Sequence, residues 1–214
     1  KLAANRASAR RDAGLPGRRW TGTLADMSSI LDDPAVRRQV FPVSVEFYHQ
    51  AAALGMLGED VELLEGVIVK KMAKSPLHTL LVALLEALLR PCLPPHTSLR
   101  KEEPLTLADS APEPDLAVVT GEFRDFAEAH PATALLVIEV AVTTEERDRR
   151  KAAIYARAGV AEYWLIEPDQ RRLTVFRLPQ EGGYSEAREY PPEETAASTV
   201  VPGFAISLAE LLKP

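Results

Sequence analysis

The hydrophobic pattern changes period several times along the chain, and each change marks an element. MSSILDDPAVRRQVFPVSVEFYHQAAALGML, from Met27, reads as short helices, with Ser44 as an N-cap and Phe47 at the N3 position. DVELLEGVIVKKMA reads as a hairpin turning at Glu65 and Gly66. SPLHTLLVALLEALLR predicts a helix: Ser75 caps it, Pro76 takes its first position and Pro91 stops it. Its leucines occupy most of its circumference, which predicts a helix sandwiched between layers. TSLRKEEPLTL follows as a strand bent at Pro104, and PEPDLAVVTG as a short strand. In the latter, alternation puts Asp115, Ala117 and Val119 on one side and Leu116 and Val118 on the other. EFRDFAEAH predicts a short helix or loop. LLVIEVAV, residues 135–142, has the apolar density of a strand buried on both faces.

TTEERDRRKAAIYARAG predicts a helix, with Thr143 and Glu146 as a capping box and Gly159 as its stop. AEYWLIEP, RRLTVFRL and YSEAREY predict three strands, separated by turns in EPDQRR and PQEGG. VVPGFAISLAELL closes as a short strand and a helical turn or two. The order of elements predicts an α/β fold, a mixed β-sheet flanked by helices. No internal repeat or low-complexity segment is visible.

Composition narrows the function classes. Hydrophobic residues make up 46%, enough for a sizeable core. The single cysteine, Cys92, excludes an internal disulfide and a cysteine-based zinc site. The apolar runs reach about eight residues, too short to span a bilayer. No secretory signal pattern is visible, so we expect a cytoplasmic protein. The net charge is −6, but residues 1–20 carry a net +5, so the rest carries −11. Residues 1–22 are expected to be a basic, flexible arm, and residues 23–214 a single domain. An acidic body argues against tight non-specific DNA binding, which needs many phosphate contacts.

The candidate chemistry starts from Glu139, the one charge in residues 135–142. A carboxylate there costs several kcal/mol, about, unless a cation pairs with it. By the two-residue period it shares a face with Leu135, Val137 and Ala141. If its strand neighbours that of Asp115, both carboxylates point into one cleft. Two close carboxylates repel unless one is protonated or a cation lies between them. Mg²⁺ is commonly held by one or two carboxylates, with waters and substrate phosphates completing its shell. On the following helix, Lys151, Ile154, Tyr155 and Ala158 form one stripe, with Lys151 its only charge. Arg147, Arg149 and Arg150 are expected on the solvated side. Two acids, a divalent cation and a lysine suit phosphodiester hydrolysis.

Asp115 after Pro114, Glu139 at a strand centre and a downstream lysine resemble the PD-(D/E)XK nuclease superfamily. More narrowly, VELLEGVIVKKMAKSPLH, EPDLAVV, LLVIEVAVTTEERDRRKAAIYARAGVAEYWLIEP and VPGFAISLAELL resemble the Uma2 family of restriction-endonuclease-like proteins. The resemblance spans about residues 41 to 212 and implies a restriction-endonuclease-like core, a helix–mixed sheet–helix arrangement and often a homodimer. It implies a Mg²⁺-dependent endonuclease acting on nucleic acid, DNA in the first place, with Mn²⁺ as a substitute metal. Asp115, Glu139 and the backbone carbonyl of Val140 would hold the metal, and Lys151 would assist the attacking water. In the wider superfamily the lysine stands two residues after the strand acid, where this chain has Ala141; the family pattern moves it onto the next helix, at Lys151. Glu62, His78, Asp148 and Tyr155 would line the cleft.

Plainer readings stand beside these. Asp115 suits a strand-entry turn, Glu62 an ordinary hairpin charge, His78 a first-turn helix residue and Lys151 a snorkelling surface lysine. Tyr155 and Trp164 read as core aromatics rather than base-stacking platforms. His49, His96 and His130 are expected to be exposed. Lys70, Lys71, Lys74, Arg100 and Lys101 form either a solvated face or a phosphate-greeting rim, and Lys101 is the substitute if Lys151 points outward. The alternative function is a catalytically inactive nuclease-fold protein acting as a nucleic-acid-binding or dimeric regulatory module.

Overall fold

The computed structural model describes residues 34–142 and 145–213. The expected arm of residues 1–22 and the Thr143 cap lie outside these residues. Pro34–Val40, the described residues of a unit distinct from the body, include a short helix, α1 (Pro34–Arg37).

In the body, α2 (Val45–Ala53) starts where expected, with Ser44 Oγ accepting a hydrogen bond from the Phe47 amide at 3.1 Å. Strands β1 (Val61–Leu64) and β2 (Val67–Lys70) form the predicted hairpin. Its turn residues Glu65 and Gly66 both have positive φ, 49° and 74°. Gly66 is required twice over, because a Cβ there would lie 2.6 Å from Pro42 Cβ. Helix α3 (Pro76–Leu89) is capped by Ser75, with Pro76 at its first position.

The main sheet has six strands in the order β3-β4-β5-β6-β7-β8. These are β3 (Thr97–Lys101), β4 (Leu116–Thr120), β5 (Leu136–Val140), β6 (Glu162–Glu167), β7 (Arg172–Gln180) and β8 (Gly183–Tyr190). Only β5 and β6 run parallel, and α4 (Glu145–Arg157) makes the crossover between them. Helix α4 ends at Gly159 (φ 71°), where the Val160 amide donates back to the Tyr155 carbonyl at 3.0 Å. A second small sheet pairs β9 (Thr195–Ala197) with β10 (Ala205–Ser207), and α5 (Leu208–Leu211) follows.

Alternation in β4 and β5 sorts their side chains into two cores. Leu116, Val118, Leu136, Ile138 and Val140 pack with Trp164 and with Leu81, Val82, Leu85 and Leu89 of α3. Ala117, Val119, Val137 and Ala141 pack on the other face with Ile154 and Tyr155 of α4 and with Tyr163. The helix–sheet–helix arrangement is thus observed.

Several local expectations fail for definable reasons. The strand expected over residues 97–107 ends at Lys101, because Glu102 takes a positive φ of 54° and its amide turns to the carbonyls of Pro114 and Asp115. Helix α3 is not sandwiched: Leu77, Leu80, Leu84 and Leu88 stand exposed along the face opposite its buried row. Leu135 precedes β5 and packs into the α3-side core, not on the face of Glu139. Strand β9 was not expected, since TAA is too short to carry a period. His49 is half-buried and lies 3.2 Å from Thr106 Oγ1, while His96 and His130 are exposed as expected.

Candidate active site

The register of the sheet assembles the site. Leu116 faces Ile138 across the antiparallel β4–β5 pair. Extending that register by one residue sets Asp115 opposite Glu139 on the same face. The Asp115 amide approaches Glu139 Oε2 at 3.3 Å, and the Val140 amide donates to Asp115 Oδ2 at 2.8 Å. The carboxylate of Asp115 therefore takes over the ladder position that a backbone carbonyl would fill. It also lies 3.1 Å from His78 Nε2, which projects from the first turn of α3.

Lys151 enters from the second turn of α4. Its Nζ lies 3.0 Å from Glu139 Oε1, 3.3 Å from Glu62 Oε2 and 3.5 Å from Asp148 Oδ1. The hydroxyl of Tyr155, one helical turn further, donates to the same Glu139 Oε1 at 2.8 Å. Asp115, Glu139, Lys151, Glu62 and Asp148 are each 7% exposed or less. They lie at the base of a cleft of about 530 Å³ that also takes in His78 and Val140. Seven of the eight sequence-proposed residues thus line one cleft, and Tyr155 lies beneath it, bonded to Glu139.

Burial dominates the electrostatics. It pushes the Glu139 carboxyl up to about 8; the Lys151 ammonium opposes this, and the negative charges of Asp115, Asp148 and Glu62 add to it. Burial also works against the Lys151 ammonium, but the facing charges of Glu139, Glu62 and Asp148 outweigh it and raise the lysine further above its ordinary value. Lys151 is therefore a fixed positive charge, not a proton acceptor. Tyr155 is held well above the usual phenol range by burial and by the Glu139 carboxylate, so its hydroxyl stays a donor.

Among the described residues, no three His, Cys, Asp or Glu side chains form a ready-made metal cage. The donor set suits a hard cation that keeps most of its water. In a strand, the N–H and C=O of one residue leave toward the same neighbour. The Val140 amide reaches Asp115, so the Val140 carbonyl leaves toward the Asp115 side as well. Two carboxylates and one carbonyl, all oxygen, fit Mg²⁺ or Mn²⁺. Asp115, Glu139, Glu62 and Asp148 outnumber the two cations set among them, Lys151 and Arg147, and that excess of acids is what a divalent ion would offset.

Other expectations are corrected. Arg147 is not on the solvated side: its guanidinium donates to the Lys70 carbonyl at 2.9 Å and comes within 4.0 Å of Glu62 and Asp148 at the cleft wall. Its position four residues before Lys151 was the available signal, since that spacing shares a helix face. Arg149 is also engaged, gripping the fully buried Glu167 through two bonds of 3.0 and 2.7 Å, with Arg172 gripping it from the other side. Lys70, Lys71 and Lys74 do rim the cleft, but Arg100 is buried and paired with Glu103, and Lys101 pairs with Glu86. Lys101 is therefore not a substitute for Lys151. Glu162 and Glu167 on β6, both buried acids, were not singled out beforehand. Glu162 accepts from Trp164 Nε1, Ser198, Thr199 and Arg177, a wholly structural set.

Among solved structures, the fold is similar to a crystal structure described as "a putative nuclease belonging to DUF820" from Anabaena variabilis. The match has a TM-score of 0.67 at 18% identity and covers 79% of this chain and 97% of that one. No curated protein matches the chain. No helix among the described residues is long and apolar enough to cross a membrane. Residues 45–209, most of the chain, match the model of the family described as "Putative restriction endonuclease". With that span matched, the chain belongs to the Uma2 family.

Proposed function

We propose that this protein is a Mg²⁺-dependent endonuclease that hydrolyses phosphodiester bonds, DNA being the first substrate to test. The observation that carries the reading is the convergence of Asp115 and Glu139, from neighbouring strands, with Lys151 from the next helix, whose Nζ lies 3.0 Å from Glu139 Oε1. Asp115, Glu139 and the Val140 carbonyl would hold the metal. When bound, Mg²⁺ supplies a Lewis acid that polarises a phosphoryl oxygen and makes water more acidic.

The chain's own residues do the rest. Lys151, permanently protonated, holds a positive charge against the water and the growing charge on the phosphoryl oxygens. Glu62 of β1 and Asp148 of α4 keep that ammonium in place. Tyr155 fixes the orientation of the Glu139 carboxyl, and His78 and the Val140 amide fix that of Asp115. A homodimer belongs to this reading, and the exposed row of Leu77, Leu80, Leu84 and Leu88 on α3 favours an apolar contact.

The test compares wild type with Glu139→Gln on supercoiled plasmid and single-stranded DNA, in Mg²⁺, Mn²⁺ and chelator. Metal-dependent cleavage by wild type alone supports the proposal. Equal cleavage by both proteins points to a contaminant and removes it. Absence of cleavage, with no Mn²⁺ binding by titration calorimetry, favours the inactive binding or regulatory module instead.

A further inference from the structure

The cleft also bears on which nucleic acid could enter it. The described lining residues include eight acidic side chains against five lysines and arginines, so the cleft is net negative even with Glu139 protonated. Each rim lysine has an acid beside it, so a phosphate binding there would have to displace a carboxylate, least costly at Lys70, whose pair with Asp60 is mostly exposed. Lys70 pairs with Asp60 at 3.2 Å, Lys71 with Glu113 at 2.6 Å and Lys74 with Glu102 at 2.6 Å. A continuous duplex presents a charge for about every 1.7 Å of its axis, and its binding strength comes from neutralising many of them. This rim offers a reduced gain, because each lysine already has a carboxylate beside it.

Depth acts in the same direction. The side chains proposed to act on the scissile phosphate are 3–7% exposed. A duplex is stiff over about 150 base pairs and does not push one phosphate into a recess without deformation. An unpaired strand bends at each nucleotide and can. Among the described residues the lining contains no Phe, Tyr or Trp, and its one imidazole, His78, is turned to Asp115; its apolar members are Met72, Ala73, Val140 and Val142. Unpaired bases therefore find no stacking platform in the cleft, and contact with the strand rests on the phosphodiester backbone.

We infer that the site takes an unpaired strand, or the unpaired part of a junction or overhang, through a few backbone phosphates and without sequence preference. The inference rests on the nuclease reading above and names its substrate class. DNA and RNA strands share the chemistry involved, so both enter the test.

The full chain is incubated in Mn²⁺ with end-labelled substrates: a single-stranded DNA, the RNA of the same sequence, a blunt duplex and a duplex with a long overhang. Glu139→Gln and Asp115→Asn serve as controls. Cleavage that depends on both acids, at least about tenfold faster on unpaired than paired segments and spread along the strand, is expected. About two phosphate contacts give a loss of less than about tenfold between 50 and 200 mM salt, against about 10³-fold or more for a duplex binder with many contacts. Cleavage of the blunt duplex at an equal or greater rate overturns the inference and leaves the nuclease reading standing. A steep salt dependence or a fixed recognition sequence also overturns it. Absence of acid-dependent cleavage on every substrate overturns both.

Discussion

Glu139→Gln replaces a buried carboxyl with a neutral amide of nearly the same shape, so its effect on stability isolates one proton. In the folded protein without metal the carboxyl holds its proton up to about 8, against an ordinary value of 4.5. The folded state therefore binds more protons than the unfolded state between those values, and the stability contributed by this group falls as pH rises from 4.5 to 8. At about 1.4 kcal/mol per pH unit the full gap is about 5 kcal/mol, and interaction of Glu139 with its charged neighbours leaves an expected value of about 3–5 kcal/mol. The amide does not titrate. Urea unfolding in chelator at pH 5, 6, 7 and 8 is expected to show the variant gaining on wild type at each step and exceeding it at pH 8. Addition of Mn²⁺ at pH 8 is expected to stabilise wild type, by about 2.7 kcal/mol at a hundredfold excess over the dissociation constant, and to leave the variant unchanged. Parallel pH curves for the two proteins would refute the argument, since they would mean that Glu139 does not titrate in this range.

Other outcomes follow from the same geometry. Lys151→Met removes the ammonium that Glu139, Glu62 and Asp148 surround, and is expected to lower stability at pH 8 by about 3–5 kcal/mol in urea unfolding and to lower the cleavage rate by about 10²–10³-fold. Glu167→Ala leaves Arg149 and Arg172 without their shared carboxylate. The expected loss is about 3 kcal/mol in the same assay, with the anchoring of α4 loosened. Burial raises the Glu162 carboxyl, but hydrogen bonds from Thr199, Arg177 and Ser198 more than offset it and hold the group below 4.5. Its stabilisation is present above 4.5 and lost as pH falls through the lowered folded value, so acid unfolding of Glu162→Gln is expected to be less steep than that of wild type. Gly66→Ala meets Pro42 at 2.6 Å with a φ of 74°, and thermal unfolding is expected to show a loss of about 2 kcal/mol or more.

What the sequence determined by itself was local and periodic. Alternation in DLAVV and LLVIEVAV assigned the two faces of β4 and β5. The charge within an apolar run marked Glu139, and the helical stripe marked Lys151 and Tyr155. Ser44, Ser75 and Gly159 marked helix ends because caps and left-handed stops act within one turn. The tertiary structure decided what depends on pairing. The β4–β5 register set Asp115 opposite Glu139, and a slip of one residue would have sent one of them to the other face. It also decided that one side of α3 is left uncovered, that Arg147 turns to the cleft while Arg149 clamps Glu167, and that each rim lysine meets its own acid. These outcomes join residues from about 10 to 77 positions apart. The energies that select them come from burial and from charges brought together by folding, and a sequence window contains neither.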